Sequence, residues 1–444
     1  MKKRLLTFIG LLLLCAFSVN LIGCSVQPSS ELPKDTNVGE PTNEPTGNIS
    51  EIPTGNPAED LMEKVTSSKI DPPVETADDN AKITDFALEL FKASEEHGKN
   101  TLISPLSVLV ALSMTANGAE GTTREQMEDV LGMSVEELNL YIHAYINSLP
   151  QNEKTKLSLA NSIWFKDTPG LLIKEDFLQT NADYYGADIY KAPFDDATLD
   201  NINNWVNEKT DGMIPEILNE IPDATVMYLI NALAFDAEWA VQYSEWDVYD
   251  GKFTCEDGGV IDVQMMRGED GLYIEDENAT GFVKFYNGRK YAFVALLPNE
   301  GISVPDYVLS LNGQSLQAIL NNPLHGAALY TSMPKFTVEY DVEMSGVLKN
   351  MGMVDSFDSS DADFSSLGVS DAGNIFINRV IHKTFIEVGE LGTRAGAATA
   401  VEMNEEWAPE VIKQVYLERP FVYMLIDWEN KVPFFIGTMM DPGK

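Results

Sequence analysis

The sequence is poor in cysteine, histidine and basic residues, and each shortage argues against a class of protein. Its 444 residues include three cysteines, which excludes a disulfide scaffold and a four-cysteine zinc site. The four histidines lie far apart, and the motifs HExxH, GxSxG and GxxxxGK(S/T) do not occur. A metalloprotease, an α/β-hydrolase or a P-loop enzyme therefore lacks its usual sequence support. We expect no enzyme, no catalytic residues, no metal and no cofactor.

The charge of the chain is strongly one-sided. Lys and Arg total 30 against 69 Asp and Glu, which gives a formal charge of −39. A nucleic acid is a polyanion and would be repelled, so we expect no nucleic-acid partner. Such acidity favours solubility or cationic partners. Apolar residues still make up 44% of the chain, which is enough for a sizeable core.

The amino terminus has the layout of a secretory signal. Basic residues at positions 2–4 precede an uncharged apolar stretch over 5–23. The stretch ends in LIGC, which resembles the lipobox of bacterial lipoproteins, with Cys24 as the lipidated first residue of the mature chain. The alternatives are an ordinary signal peptide or an uncleaved membrane anchor. We expect a signal peptide over 1–24 and an extracellular lipoprotein anchored to the outer face of a bacterial membrane.

Residues 25–80 have the composition of a tether. They are rich in Pro, Ser, Thr, Asn and Glu and contain few large apolar side chains, and the tetrapeptide PTGN occurs at Pro45 and again at Pro53. Such a segment buries too little surface to offset its ordering entropy. The composition predicts a disordered spacer between the membrane and a folded domain.

From residue 81 to 444 no linker interrupts the chain, which predicts one long domain. Apolar residues recur at helical spacing in 83–97, after Ser104-Pro105, and in 120–131 and 135–149. Strand-like runs cover 157–164, 226–235, 291–297, 335–340, 376–387 and 421–427. Helices concentrated early and strands concentrated later predict an α+β fold with large sheets.

Several short blocks occur in a recognisable order within this domain. They are NTLISPLS at 100–107, NSIWF at 161–165, NALAFDAEW at 231–239, MPKF at 333–336, VIHK at 380–383, EVGELGTRAGAATA at 387–400, ERPF at 418–421 and FFIG at 434–437. Together they resemble the serpin family of serine protease inhibitors over nearly all of 81–444. The resemblance implies a serpin fold, with helices packed on large, mainly antiparallel sheets. It also implies an exposed reactive-centre loop over about 390–416, and we expect a monomer.

The segment that follows Glu390 is made of small residues and carries the functional prediction. Counted as a strand from Thr393, the residues that face inward are Thr393, Ala395, Ala397, Thr399 and Val401, and those that face outward are Arg394, Gly396, Ala398, Ala400 and Glu402. Both charges fall in the outward set, which favours a half-buried strand. Taken alone, the segment also fits an alanine-rich surface helix or a disordered insertion.

The family resemblance implies that this segment, from Glu390 and Gly392 to Thr399, is the hinge of the reactive-centre loop. A protease cleaves the loop, forms an acyl-enzyme, and is trapped when the hinge inserts as a new strand into the main sheet. Large or charged inward residues would cost several kcal/mol to bury, and none is present. Arg394 departs from the family, which usually has Glu there, but an outward position tolerates the change.

The scissile bond follows the seventeenth residue counted from the hinge Glu in inhibitory members of the family. Counting from Glu390 places the bond between Glu406 and Trp407, which suits a glutamyl-specific protease. Cleavage after Trp407 would suit a chymotrypsin-like protease, and cleavage after Met403 an elastase-like one. The sequence therefore predicts a serine protease as the partner but leaves its specificity open.

The remaining site residues are expected to be structural. Ser104, Ser107, Asn231 and His382 match the family's shutter, a hydrogen-bonded group beneath the sheet, and Trp239 matches the breach, where the loop first enters. His382 is interpreted as a core residue and not as a catalyst. The predicted function is suicide inhibition of serine proteases. The alternatives are a non-inhibitory serpin that binds a ligand and a solute-binding lipoprotein.

Overall fold

Helices occur first along the chain and strands dominate later, as the sequence predicts. The computed structural model describes residues 58–70, 77–150, 154–394 and 411–444, which belong to one unit spanning residues 53–444. The helices of these residues are α1 (Ala77–Ser94), α2 (Pro105–Ala116), α3 (Gly121–Leu131), α4 (Val135–Ser148), α5 (Glu175–Tyr185), α6 (Asp196–Lys209), α7 (Val304–Ser310), α8 (Gly313–Asn321) and α9 (Ser345–Met351). Within the same residues, none of the helices has the length and apolarity needed to cross a membrane.

Local capping explains where two of these helices begin. The Ser104 side chain accepts a hydrogen bond from the backbone N–H of Ser107, and Pro105 occupies the first turn of α2, where its missing N–H costs nothing. Ser134 and Glu137 form a reciprocal capping box at the start of α4. Every residue of α2 is buried, so this helix lies in the centre of the molecule.

The strands of the described residues form three large sheets and one short pair. They are β1 (Glu59–Asp60), β2 (Thr101–Ile103), β3 (Thr155–Lys166), β4 (Leu172–Ile173), β5 (Asp188–Ala192), β6 (Met227–Glu238), β7 (Val248–Thr254), β8 (Val260–Gly268), β9 (Leu272–Glu275), β10 (Ala279–Phe285), β11 (Tyr291–Pro298), β12 (Ala328–Pro334), β13 (Phe336–Glu343), β14 (Gly368–Val369), β15 (Arg379–Val388), β16 (Gly392–Thr393), β17 (Ile412–Tyr416), β18 (Phe421–Asp427) and β19 (Val432–Met439).

The sheets are named here by their place in the molecule. The main sheet has the order β1-β5-β3-β6-β16-β15-β13, the buried sheet β2-β19-β18-β11-β10-β9, and the outer sheet β17-β12-β8-β7. Most neighbours are antiparallel, but β3–β5, β6–β15 and β12–β17 are parallel. Strands β11, β18 and β19 are buried along their whole length, which explains their continuous apolar runs. The α+β class is therefore confirmed.

Two apolar cores hold the main sheet, one on each face. The larger contains residues of α1 and α2, the buried sheet and one face of the main sheet. The smaller lies between α6 and the other face, where Ile202, Trp205 and Val206 cluster with Ala232 and Ala234 of β6. A strand that enters beside β6 must therefore fit between two packed layers.

The structure departs from the predicted tether over residues 58–70. Strand β1 pairs with β5 at the edge of the main sheet, and the backbone N–H of Leu61 donates to the Ile189 carbonyl at 2.9 Å. Leu61, Met62 and Val65 pack against the larger core, and α1 begins at Ala77, before the predicted boundary at 80. Residues 25–80 contain few large apolar side chains on average, but these three lie close together in sequence and pack against the core. The average composition therefore did not predict that residues 58–70 are ordered.

Candidate functional site

Strands β6 and β15 are joined directly along only part of their length. Residues Tyr228–Ala232 of β6 pair in parallel with Arg379–Lys383 of β15. At the far end of both strands the two-residue strand β16 lies between them, with Thr393 opposite Ala237 on one side and Val388 on the other. Gly392 and Thr393, near the start of the small-residue segment, therefore already occupy the space between these strands.

Close contacts fix both residues of β16. Thr393 is 1% exposed, and its hydroxyl lies 2.6 Å from the Tyr286 hydroxyl in a hydrogen bond. Burial raises the pKa of Tyr286, so its hydroxyl stays protonated. A Cβ added to Gly392 would collide with the carbonyl oxygen of Ala237, so the strand spacing here admits only glycine.

Strand β16 ends at Thr393, and the backbone of the next residue, Arg394, is no longer extended. This residue has a left-handed φ of 48°, and its backbone N–H donates to the Glu387 carbonyl at 3.0 Å. Its guanidinium donates to the Asp211 carbonyl at 3.3 Å. Burial raises the pKa of the neighbouring Asp236 carboxyl, and the positive charge of Arg394 opposes that rise. Arg394 thus lies among acidic groups, where a glutamate would meet like charge.

Trp239 holds the backbone that leads into β16. Its indole N–H donates to the Gly389 carbonyl at 2.8 Å, and its backbone N–H donates to the Leu391 carbonyl at 2.9 Å. The indole stacks on the Tyr286 ring, with centroids 4.4 Å apart and planes 14° apart. The predicted breach residue therefore contacts both the incoming backbone and the partner of Thr393.

An ion pair at the same end of the sheet fixes the predicted first hinge residue. The Lys335 ammonium lies 2.6 Å from the Glu390 carboxylate, and this hydrogen bond lowers the pKa of Glu390. Both side chains are about a third exposed, so the pair contributes modestly to stability, roughly 0–1 kcal/mol. The Glu390 carbonyl also accepts from the backbone N–H of Tyr243 at 3.0 Å.

The four predicted shutter residues come together where β6 and β15 are paired. The backbone N–H of Ser104 donates to His382 Nε2 at 3.0 Å, and His382 Nδ1 lies 2.5 Å from Asn231 Oδ1. The Ser107 hydroxyl donates to the same Asn231 oxygen at 3.3 Å. Asn231 Nδ2 donates in turn to the Ile381 carbonyl at 3.2 Å. These bonds connect the start of α2 to both strands.

The hydrogen bonds define the protonation state of His382. Nε2 accepts from Ser104, so it carries no proton, and Nδ1 donates its proton to Asn231. Complete burial lowers the pKa of this histidine to about 3. Its imidazole is therefore neutral across the physiological range, in keeping with a structural role.

Part of the predicted site lies outside the described residues. This applies to Ala395, Gly396, Ala397, Ala398, Thr399, Glu406, Trp407 and the lipidation residue Cys24. Sequence reasoning missed Tyr286, which joins Trp239 to Thr393, and the pairing of Glu390 with Lys335. Their partners are distant in sequence, and no local motif marks them.

Comparisons with known proteins show which proteins this chain is similar to. A family model described as "Serpin (serine protease inhibitor)" matches residues 81–442. The plasma serine protease inhibitor of Bos taurus is 29% identical, covering 86% of this chain and 95% of its own. The native-state structure of tengpin, a thermophilic serpin, is 47% identical with a TM-score of 0.83, covering 86% and 99% of the two chains. Thyroxine-binding globulin in complex with thyroxine shares the fold at 23% identity, with a TM-score of 0.71 over 82% and 99%.

Proposed function

This chain belongs to the serpin family, and from that premise we propose that it is a suicide inhibitor of serine-type endopeptidases, which traps the acyl-enzyme by inserting its loop into the main sheet. The observation that carries the proposal is β16. Thr393 and Gly392 already lie between β6 and β15, and small residues follow them in the chain. Insertion therefore lengthens an existing strand, which avoids the nucleation of a new one.

The register of β16 supports one path for the proposed insertion. Because β16 is antiparallel to both neighbours, each step forward from Thr393 is one step back from Ala237 on β6 and from Val388 on β15. Continued without a bulge, this register places residues 398–402 between 232–228 and 383–379. These ranges are the ones that now pair directly. Insertion would break the five direct residue pairs between β6 and β15 and replace them with a strand that is hydrogen-bonded to both. Each additional hydrogen bond would stabilise the inserted form by about 1 kcal/mol.

Cleavage supplies the free end that insertion requires. The protease serine attacks the carbonyl carbon of Glu406, and the bond to the nitrogen of Trp407 breaks. The proton passes to the new amine of Trp407, and Glu406 remains bound to the protease as an ester. The residues before Glu406 are then no longer tied to β17, and the bound protease must follow the inserting strand.

A protease panel tests the proposal. A chain that begins at residue 58 is incubated with a glutamyl-specific endopeptidase, chymotrypsin and elastase, and the products are separated on a denaturing gel and identified by mass spectrometry. We expect a denaturant-resistant complex and a released fragment that begins at Trp407. Clean turnover of the loop by every protease would contradict inhibition and favour a non-inhibitory binding protein.

Two neighbouring glutamates provide a matched control for the scissile bond. Glu406→Ala should abolish the complex with the glutamyl-specific protease, because the carboxylate that fills its pocket is lost. Glu405→Ala changes the same chemistry one residue away and should retain the complex. Loss of the complex in Glu405→Ala and its retention in Glu406→Ala would place the scissile bond after Glu405 and would not contradict the inhibitory mechanism.

We propose further that the protein is displayed on the outer face of a bacterial membrane through lipid on Cys24. The support is the LIGC sequence at the end of an uncharged apolar segment. Cys24→Ala should release the protein from membranes, and Cys15→Ala, within the apolar segment, should not. Membrane retention of Cys24→Ala would favour an uncleaved anchor.

A further inference from the structure

The outer sheet presents an unusually aromatic surface to solvent. One face of its strands packs on the larger core through Leu329, Met333, Met266 and Val415. The opposite face carries large side chains on all four strands, and it is extended by Trp246 of the 3-10 helix Glu245–Asp247, whose backbone carbonyl accepts from Arg267. Its members, the aromatic face, are Trp246, Tyr249, Arg267, Tyr330, Ile412 and Tyr416.

Contacts around Ser332 show that this face is continuous. In the strand register, Ser332 lies opposite Arg267 on β8 and opposite Tyr416 on β17. Its hydroxyl lies 2.8 Å from the Tyr249 hydroxyl, and the Arg267 guanidinium donates to the Trp246 carbonyl at 2.9 Å. Ser332 therefore neighbours three of the six members directly, namely Arg267, Tyr416 and Tyr249. A fourth member, Trp246, is joined to this group through Arg267.

Much of this surface is solvent-exposed apolar area. The Trp246 side chain is 84% exposed and Ile412 is 62% exposed, and the three tyrosines are each more than a third exposed. Trp, Tyr and Arg are the residues enriched at the energetic centres of protein interfaces. A contiguous exposed patch of this composition is typical of a surface that binds another protein.

The length of the loop indicates which protein binds this surface. Five residues, 407–411, separate the proposed scissile bond from Ile412, the first residue of the outer sheet's edge strand. Even fully extended, they span less than about 20 Å. A folded protease of about 200 residues has a radius of about 20 Å. A protease bound at Glu406 is therefore held within contact distance of the edge on which Ile412 and Tyr416 lie.

We propose that the aromatic face is a docking surface for the target protease, separate from the loop that the protease cleaves. This inference rests on the proposed inhibitory function and extends it to partner selection. The acidic residues Glu245 and Asp247 flank Trp246, and the chain is acidic as a whole, so the matching protease surface is apolar with a basic rim. The docking surface speeds encounter and acylation and leaves insertion unchanged.

The test measures association separately from trapping. Wild type and Trp246→Ala are each mixed with the protease that wild type traps, and both the association rate constant and the stoichiometry of inhibition are determined. Trp246 is almost fully exposed, so its removal should not affect folding. We expect the rate constant to fall about tenfold with unchanged stoichiometry, because interface tryptophans are frequent hot spots. Leu172→Ala, which removes a 65% exposed side chain in another sheet, should leave both values unchanged.

The outcomes separate this inference from the proposed function. If wild type traps no protease, the proposed inhibitory function is refuted, and so is the proposal that the aromatic face docks the protease. If wild type traps the protease and Trp246→Ala associates as fast as Leu172→Ala, the docking surface is wrong and inhibition stands. A raised stoichiometry at an unchanged rate would also overturn the inference, because it would place Trp246 in the insertion step. Self-association that Trp246→Ala abolishes would assign the face to a second copy of this chain.

Discussion

Replacement of Thr393 by arginine tests the insertion mechanism at its first step. The Thr393 side chain is 1% exposed and lies between β6 and β15, with its hydroxyl bonded to Tyr286. Thr393→Arg removes this hydrogen bond and leaves the buried Tyr286 hydroxyl unpaired, at a cost of about 1–3 kcal/mol. A guanidinium in the same space lacks a carboxylate partner, which adds several kcal/mol even after relaxation.

These unfavourable energies exceed the stabilisation that the pairing of Gly392 and Thr393 with the neighbouring strands provides. In the variant, β16 should therefore leave the sheet. Insertion would then begin from an open loop and proceed more slowly, whereas acylation at the distant Glu406 should be unaffected. Because trapping is a race between insertion and deacylation, we expect the stoichiometry of inhibition to rise severalfold and cleaved, active protease to be released. The cleaved variant should also lack much of the thermal stabilisation that the cleaved wild type gains.

Thr393→Val is the matched control. It keeps the size and the strand preference of threonine and removes only the hydroxyl, so it should still trap protease. Equal stoichiometry for wild type and Thr393→Arg would refute the inward register of Thr393 and with it the insertion model built on β16.

Three further predictions follow from the same contacts. His382 has a pKa of about 3 in the folded chain and about 6.5 in the unfolded chain, so the unfolded state binds more protons between these pH values. The free energy of unfolding, measured with urea, should therefore fall by up to about 1.4 kcal/mol for each pH unit below pH 6.5. His382→Gln should flatten this slope, and the exposed His325→Gln should not. Gly392→Ala should lower the unfolding free energy by more than about 1 kcal/mol, because its methyl group meets the Ala237 carbonyl. In Gly389→Ala the methyl group meets only the end of Lys335, at 4.0 Å, and an equal loss in both variants would contradict this assignment. A chain that begins at 71 should melt below one that begins at 58, because it lacks roughly 1 kcal/mol of apolar burial for each of Leu61, Met62 and Val65, and identical melting curves would show that this segment adds nothing.

The sequence was sufficient for the features that local patterns specify. Ser104-Pro105 predicted the start of α2 because both the cap and the proline act within one turn. Strands β11 and β18 were predictable because strands buried on both faces read as unbroken apolar runs. The order of the motifs likewise identified the family.

Features that depend on distant partners were not predictable in this way. The bond between Trp239 and Gly389 joins residues 150 positions apart, and that between Tyr286 and Thr393 joins residues 107 apart. The edge strand β1 was missed for a different reason. Its two residues, Glu59 and Asp60, have poor strand propensity, and the backbone pairing with β5 determines their conformation.

The structure also gives a physical reason for the order of residues in the hinge. If the β16 register continues, Thr399 meets polar residues on both neighbouring strands, whereas Thr393 lies between Ala237 and Val388 and has its polar partner in Tyr286. Thr399 comes to lie between Asn231 and His382, the pair whose strands must separate for insertion. Its hydroxyl can then bond to groups that the separation leaves unpaired. The alanines at 395 and 397 come to lie beside Phe235 and Leu233 of β6, whose apolar side chains offer a hydroxyl no hydrogen bond on that strand. The two threonines thus occur where the sheet offers hydrogen bonds, which small size alone does not explain.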